Sequence, residues 1–172
     1  MASRISNERK NLTRISGELL VASRLAQRGI MIALQWGSTI GYDILAFDKK
    51  GNVAYLEVKT SASFDGDWAL QAKYANPEKE NIPINMRFIC CVNIKNALSE
   101  PSIYIFPAEV VASGLRYYFN NNFPNSPTYN LPLNKKPVKK SKEEEIQKVG
   151  EFINASKYLE NFDILGLDKI EI

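Results

Sequence analysis

The sequence predicts a single α/β domain (α+β mixed) in which helices flank a central mixed β-sheet. Residues 7–28 place apolar side chains three and four positions apart, the spacing of a helix that buries one face. Residues 41–61 contain two apolar, alternating runs around "DKKGN", which predicts a β-hairpin. Two further apolar runs, 87–94 and 102–106, precede a second helical pattern. The order helix, three strands, irregular segment, two strands and helix is typical of a mixed sheet with helices packed on it.

Each predicted element has a local signal at its boundary. The first helix runs from about Asn7 to Arg28 and ends at Gly29, a common helix terminator. The run "IMIALQW" at 30–36 predicts a buried strand, and "GST" then turns the chain into the hairpin. Pro107 opens the second helix, because proline is tolerated in the first helical turn.

The length of the chain limits its domain organisation. With 172 residues the chain can bury one real core but is too short for two domains of ordinary size. We expect a single domain with its core at about 8–120 and an Asn-, Pro- and Lys-rich loop or arm at 120–142. A C-terminal helical segment at 143–172 is expected to pack on the core.

Composition indicates a reduced, aqueous environment. An apolar fraction of 45% and a charged fraction of 24% are those of a globular protein, and no apolar run reaches the length of a membrane span. No hydrophobic stretch of the signal-peptide type follows the basic N-terminus. Cys90 and Cys91 are adjacent in a strand and therefore point to opposite faces, which disfavours a disulfide. We expect a cytoplasmic protein without a membrane partner.

The absence of histidine excludes several kinds of catalysis. With no histidine in the sequence, Ser-His-Asp and Cys-His nucleophilic sites, His-ligated zinc and His-dependent nuclease sites are all ruled out. Any enzymatic chemistry must therefore use carboxylates, lysine, hydroxyl groups or a metal ion.

The hairpin brings two acids and a lysine together. If Phe47 and Val53 are the last pair around the turn, paired residue numbers sum to about 100, and Asp43 falls opposite Glu57. Opposed side chains have Cβ atoms about 4.5–5.5 Å apart, so the two carboxylates repel each other. Mg²⁺ resolves this conflict because it takes oxygen ligands, usually one or two carboxylates with water and phosphate oxygens. Lys59 projects on the same side, where it can orient water or stabilise charge on a phosphate. We predict a phosphodiester-hydrolysing site.

A structural alternative exists for the same residues. An acid at a strand end followed by E-x-K is also typical of a surface ion pair. The apolar neighbours in "YLEVK" and "YDILA" favour the catalytic reading, because charges on interior strands are costly unless they are used.

The motifs "GE" at 17–18, "YD" at 42–43 and "EVK" at 57–59 resemble those of the PD-(D/E)xK nuclease superfamily over roughly residues 11–110. That superfamily includes restriction endonucleases, archaeal Holliday junction resolvases and some homing endonucleases. The resemblance implies a restriction-endonuclease-like core, helix–three strands–helix–strand, and Mg²⁺-dependent cleavage of DNA, with Mn²⁺ as a substitute ion.

The resemblance also implies roles for individual residues. Asp43 and Glu57 would be metal ligands and Lys59 the catalytic lysine. Glu18 matches the helix glutamate that contributes to the metal site in the resolvase-like branch; the alternative is an exposed helix acid. Ser38 stands where resolvase-like members carry a loop serine. Tyr42 occupies the position of the motif's proline.

Basic stretches suit contacts to a phosphate backbone, although a solvated charged surface is the alternative. The first stretch, residues 1–30, contains Arg4, Arg9, Lys10, Arg14, Arg24 and Arg28. The second, residues 135–142, contains five lysines and no acid. After the hairpin, "TSASFDGDWALQAKY" predicts a loop and short helix. Its Trp68, Lys73 and Tyr74 are candidate DNA contacts. The alternative for the two aromatic residues is packing in the core. The predicted DNA contacts are Ser38, Lys73, Lys135, Lys136, Lys139 and Lys140.

The leading hypothesis is a metal-dependent DNA endonuclease of the restriction, homing or junction-resolving type. A small domain that cuts both strands usually does so as a symmetric assembly, so we expect a homodimer or higher homo-oligomer. One alternative is a catalytically inactive nucleic-acid-binding relative of the same fold. Another is a small adaptor whose acids make ordinary surface pairs.

Overall fold

A mixed β-sheet with helices on both faces forms the centre of the protein. The structure, a computed structural model, describes residues 6–36, 41–62, 68–76, 81–94, 100–122, 128–131 and 155–171. The helices are α1 (Asn7–Ala26) and α2 (Ala108–Asn122). The strands are β1 (Met31–Leu34), β2 (Ile44–Phe47), β3 (Val53–Ser61), β4 (Trp68–Gln71), β5 (Arg87–Asn93), β6 (Ser102–Pro107) and β7 (Thr128–Leu131).

The order of the strands confirms the predicted fold class. In the described part of the chain, five strands lie in the order β1-β2-β3-β5-β6. The β3–β5 pair is parallel, and the β1–β2, β2–β3 and β5–β6 pairs are antiparallel. The protein is therefore an α/β domain with a central mixed sheet, and β3 is its middle strand.

Apolar layers cover both faces of this sheet. The layer on the α1 face includes Val21, Leu25, Ile44, Leu56, Val58, Cys90, Phe162 and Leu165. The layer on the α2 face includes Trp68, Leu70, Tyr74, Ile89, Cys91, Phe106, Val111, Leu115 and Tyr158. The adjacent thiols of Cys90 and Cys91 face opposite layers, as strand alternation predicts, and both are buried and unpaired.

Helix α1 ends close to where the sequence predicts. Ser6 caps its first turn by accepting a hydrogen bond from the backbone N–H of Arg9 at 3.3 Å. The helix stops at Ala26, and Gly29 takes a φ of 73°, a left-handed conformation that favours glycine. The carbonyl of Gly29 accepts the backbone N–H of Ile170 at 2.8 Å, which joins the helix exit to the C-terminal segment.

The hairpin has the predicted register. Phe47 pairs with Val53 and Ile44 with Leu56, so the paired numbers sum to 100. Side chains alternate accordingly: Ile44 and Leu56 are buried, whereas Glu57 is only partly buried and faces the other way.

Two segments differ from the sequence prediction. The sequence predicts a loop or arm at 120–142, but Thr128–Leu131 forms β7, which pairs antiparallel with β4 in a separate two-stranded sheet. The sequence likewise predicts a loop and short helix after β3, but Trp68–Gln71 is a strand followed by a 3₁₀ turn at 72–75. Neither strand has a long apolar alternation, so each forms through its partner rather than through local preference.

The described C-terminal residues, 155–171, pack on the core without a regular α-helix. Their 3₁₀ turns at Ala155–Tyr158 and Phe162–Leu165 bury Tyr158, Phe162 and Leu165. The predicted helical spacing before residue 155 lies outside the described residues. No described helix combines the length and apolarity needed to cross a membrane.

Asp48 connects the hairpin turn to the C-terminal segment. Its buried carboxylate accepts the Asn52 side-chain amide at 2.7 Å and the backbone N–H groups of Lys50, Asn52 and Asp168 at 2.9, 3.0 and 3.1 Å. The Asn52 side chain and these backbone donors lower the pKa of Asp48 from 3.8 to about 2.

Asp48→Asn should therefore change how stability depends on pH. A depressed carboxyl pKa stabilises the fold above the unfolded-state pKa, and that contribution is lost as the pH falls from about 4 to about 2. We expect the variant to be less stable than the wild type at pH 7 and to lose less stability over that acidic range. Denaturant unfolding at a series of pH values measures both effects. The exposed acid change Glu109→Gln is the control, and parallel curves for Asp48→Asn and wild type would contradict the assignment.

Candidate active site

A cavity of about 590 Å³ lies at the open end of the hairpin. It is bordered by the hairpin, by β4 with its following turn, and by α1. The charged and phenolic side chains that line it are Arg14, Tyr42, Asp43, Glu57, Lys59, Lys73 and Tyr74. The structure thus brings together the three residues on which the sequence-based hypothesis rests.

Asp43 is anchored to the backbone of β3. Its N–H donates to the carbonyl of Leu56 at 2.9 Å, and its Oδ2 accepts the N–H of Val58 at 2.7 Å. Because Leu56 is already the ladder partner of Ile44, two residues share one partner, which is the pattern of a β-bulge. The predicted ladder pairing of Asp43 with Glu57 is therefore wrong by one residue. The bulge still places the Asp43 carboxylate beside Val58, between Glu57 and Lys59 in sequence.

Glu57 has one engaged and one unengaged carboxylate oxygen. Its Oε1 accepts a hydrogen bond from the Tyr74 hydroxyl and forms an ion pair with Lys59 Nζ at 2.7 Å. Its Oε2 is buried and has no hydrogen-bond partner among the described residues; Arg87 Nη2 lies 4.0 Å away. A buried, unpartnered charged oxygen is costly, and native proteins satisfy such atoms with water, an ion or a ligand.

Glu18 is buried at the edge of the same charge cluster. Only 6% of the residue is exposed, so the alternative of an exposed helix acid is wrong. Its Oε1 accepts Arg14 Nη1 at 2.6 Å. Burial, followed by the nearby Asp43 carboxylate, raises the pKa of Glu18, while Arg14 and Lys59 act in the opposite direction. The Glu18 carboxyl therefore interacts electrostatically with Asp43 and Lys59.

Gly17 allows α1 to approach β3 closely enough for this arrangement. A Cβ added at Gly17 would lie inside 3.0 Å of Thr60 Oγ1, Cβ and Cγ2, which is closer than Cβ contacts allow. The two residues of the sequence motif "GE" therefore have different roles, one steric and one electrostatic. Glycine sets the distance between helix and strand, and the next residue supplies the buried acid.

The other predicted DNA contacts are only partly described. Lys73 is exposed at the cavity wall, with its ammonium 5.3 Å from the centroid of the Tyr74 ring. Trp68 does not line the cavity; it is 2% exposed and its Nε1 donates to the Val92 carbonyl at 2.9 Å, so packing in the core is the correct alternative for it. Five predicted contacts lie outside the described residues: Ser38, Lys135, Lys136, Lys139 and Lys140.

The sequence-based prediction missed the roles of three residues at the site. Tyr74 is buried but turns its hydroxyl to Glu57, so it is neither a plain core residue nor a DNA contact. Arg87 is buried at the start of β5 and faces Glu57 across the parallel pair. The sequence signal for Arg87 was an arginine at the start of the apolar run "RFICCVN". Arg14 pairs with Glu18 through ordinary i,i+4 helical spacing.

The acids do not form a large cluster of ligands. Among the residues that the structure describes, no group of three or more His, Cys, Asp and Glu side chains is arranged to hold a metal ion. Asp43 and Glu57 both line the cavity.

Comparison with known proteins gives a likeness at the level of structure. No protein-family model matches the chain, and no curated protein matches it. Among solved structures, the chain is similar to a bacterial homing endonuclease, I-Ssp6803I, with a TM-score of 0.48 and 13% sequence identity over 91% of each chain. A likeness of this extent does not decide which activity this chain has.

Gly17→Ala should destabilise the protein, although glycine-to-alanine changes inside helices ordinarily stabilise by about 0.5–1 kcal/mol. The added methyl group must push α1 away from Thr60, at a cost of about 1–3 kcal/mol typical of overpacking. Urea unfolding measures the change. Thr60→Ala in the same chain should recover part of the loss, because it removes two of the three clashing atoms.

Ser23→Ala, on the exposed side of α1, is the matched helical control and should change stability by less than about 0.5 kcal/mol. A Gly17→Ala variant as stable as the wild type would show that α1 does not depend on this contact.

Proposed function

We propose that the protein is a metal-dependent DNA endonuclease that hydrolyses phosphodiester bonds. Asp43, Glu57, Lys59 and Glu18 form the proposed active site. Asp43 and Glu57 are the proposed metal ligands, and Glu18, the third acid predicted as a ligand, acts beside them, since the described residues hold no three-acid group arranged for a metal ion. The observation that carries the proposal is the buried Oε2 of Glu57, beside Asp43 and Lys59 at the cavity, which has no hydrogen-bond partner among the residues that the structure describes.

A phosphodiester fits the mixture of charges at this cavity. Carboxylates alone would repel a phosphate, and cations alone would need no acids. The cavity holds both, with Lys59, Lys73 and Arg14 around Asp43 and Glu57. This combination suits an anionic substrate that is bound together with a divalent cation. The motif resemblance of "YD" and "EVK" supports DNA as the substrate.

The carboxylates fit a hard divalent cation such as Mg²⁺, with Mn²⁺ as a substitute. Oε2 of Glu57 is unengaged, and Asp43 uses only Oδ2 for its bond to the backbone N–H of Val58 among the described residues. When bound, such an ion lowers the pKa of a coordinated water and neutralises charge on the phosphate.

The chain's own residues would position and stabilise the reacting groups. The hydrogen bond from Val58 fixes the direction of the Asp43 carboxylate, and the Tyr74 hydroxyl fixes that of Glu57. Lys59 holds its ammonium 2.7 Å from Glu57 Oε1, from where it can donate to a phosphate oxygen as negative charge grows there. No histidine is needed for these roles.

The remaining expectations belong to the same proposal. They comprise a homodimer or higher homo-oligomer, a cytoplasmic location, and DNA contacts from Ser38, Lys73, Lys135, Lys136, Lys139 and Lys140. Restriction, homing and junction resolution are the three types of endonuclease to be distinguished, by cleavage of linear, plasmid and four-way-junction DNA.

One observation favours a second candidate, a DNA-binding protein of the same fold without catalysis. Glu57 Oε1 is already paired with Lys59 and Tyr74, and Glu18 with Arg14. These contacts compensate much of the acidic charge without a metal ion. A site that only binds DNA would need such compensation from the protein itself.

Glu57→Gln and Lys59→Ala should each lower the rate of DNA cleavage in Mg²⁺ by about 10²–10⁴-fold, because each removes a charge that acts on the reacting phosphate. Supercoiled plasmid and four-way-junction DNA are the substrates, and EDTA should stop cleavage until Mg²⁺ or Mn²⁺ is restored. Glu109→Gln and Lys49→Ala remove comparable exposed charges outside the cavity and should cut at the wild-type rate. Cleavage at equal rates by all four variants would refute the proposal.

Titration calorimetry with Mn²⁺ separates the two candidates. The endonuclease should bind Mn²⁺, and Asp43→Asn should weaken that binding at least tenfold, since even changes to residues that only orient a metal ligand commonly lower affinity by about 10–100-fold. DNA binding without any Mn²⁺ binding by the wild type would favour the second candidate.

A further inference from the structure

A second cleft of about 630 Å³ adjoins the candidate active site. It lies between the first two turns of α1 and the end of β3, and we call it the α1 cleft. Its polar lining is Arg9, Lys10, Thr13, Arg14, Lys59, Thr60 and Ser61. Arg14, Lys59 and Ala69 line both cavities, so the two are continuous.

The charge of the α1 cleft is one-sided. Among the residues that the structure describes, four cationic side chains line it and no acid does. Arg14 and Lys59 are paired with Glu18 and Glu57, but no described carboxylate pairs with Arg9 or Lys10, which are both exposed. In the described part of the chain, the mouth of the cleft therefore carries two cations without an acidic partner, whereas its junction with the active site carries paired charge.

The stability of α1 does not explain why its basic residues stand together at the cleft. Lys10 and Arg14 are four residues apart on α1, where like charges disfavour the helix. Arg9, Lys10, Thr13 and Arg14 nevertheless share one face, which is the face that lines the cleft. An anionic ligand that runs along the cleft would relieve the repulsion among these cations.

We propose that the α1 cleft binds the backbone phosphates of the DNA strand next to the scissile phosphate. This inference rests on the proposed function, because it takes the scissile phosphate to lie at Asp43, Glu57 and Lys59. Arg9 and Lys10 contact the flanking phosphates, and the Thr13 hydroxyl can donate to the same backbone. Arg14 stands at the junction and links this track to Glu18.

Contacts of this kind fix the position of the strand without reading its sequence. They also make binding depend on salt, since each neutralised phosphate of duplex DNA adds about 0.9 to the slope of log affinity against log salt. The α1 cleft thus accounts for strand placement at the site, whereas selection of a recognition sequence is assigned to other parts of the chain.

The test compares two double variants with the same net charge. Arg9→Ala/Lys10→Ala removes the two cations of the cleft that pair with no described carboxylate. Lys49→Ala/Lys157→Ala removes two exposed lysines that line neither cavity. The probe is a short fluorescein-labelled DNA duplex, and its binding to the full chain is followed by fluorescence anisotropy in EDTA over a series of salt concentrations. Circular dichroism verifies that both variants are folded.

We expect the cleft variant to reduce the salt slope by about two and the affinity near 0.1 M salt by on the order of tenfold to a hundredfold. The control variant should keep the wild-type slope. Equal slopes for the two double variants, or no DNA binding by the wild type at low salt, would overturn the inference.

Cleavage assays keep the failure of this inference distinct from that of the proposed function. If the wild type cuts DNA in Mg²⁺ but the cleft variant keeps the wild-type slope, the α1 cleft is not the phosphate track although the endonuclease remains. If the wild type never cuts but binds DNA with a slope that depends on Arg9 and Lys10, the cleft assignment holds and the endonuclease proposal fails.

Discussion

The close approach of α1 to β3 is the constraint on which the site depends. Gly17 lets the helix backbone contact Thr60, and this contact brings the buried Glu18 into the field of Asp43 and Lys59. Because side chains alternate along a strand, Glu57 and Lys59 leave β3 on the opposite side from Thr60. One strand therefore carries both the packing contact and the charges of the cavity.

The charged cavity is a compromise between stability and chemistry. Buried ion pairs recover only part of the cost of removing charges from water, and apolar replacements are often equally stable. Lys59 and Tyr74 compensate one oxygen of Glu57. The other oxygen has no hydrogen bond within the described part of the chain, and Arg87 Nη2 lies 4.0 Å from it. Such incomplete compensation is expected where a site is shaped for a ligand rather than for the stability of the fold alone.

The features that follow from local periodicity were predictable, and those made by tertiary contacts were not. The pairing of Phe47 with Val53 follows from turn length and alternation, so the register and the shared face of Glu57 and Lys59 were accessible from the sequence. The bulge at Asp43 was not, because it depends on a backbone hydrogen bond that has no composition signal. The pairing of β4 with β7 joins segments about 60 residues apart, and the turn that follows β4 carries the Tyr74 hydroxyl to Glu57.

The neighbouring thiols in β5 provide a probe of each apolar layer separately. Cys90 is buried in the layer under α1 and Cys91 in the layer under α2, and burial raises the pKa of both thiols. Both are therefore unreactive in the native protein, since the thiolate is the reactive form. A labelling reagent can modify either sulfur only after its own side of the sheet has opened. The order in which the two become modified would report which helix detaches first during local unfolding.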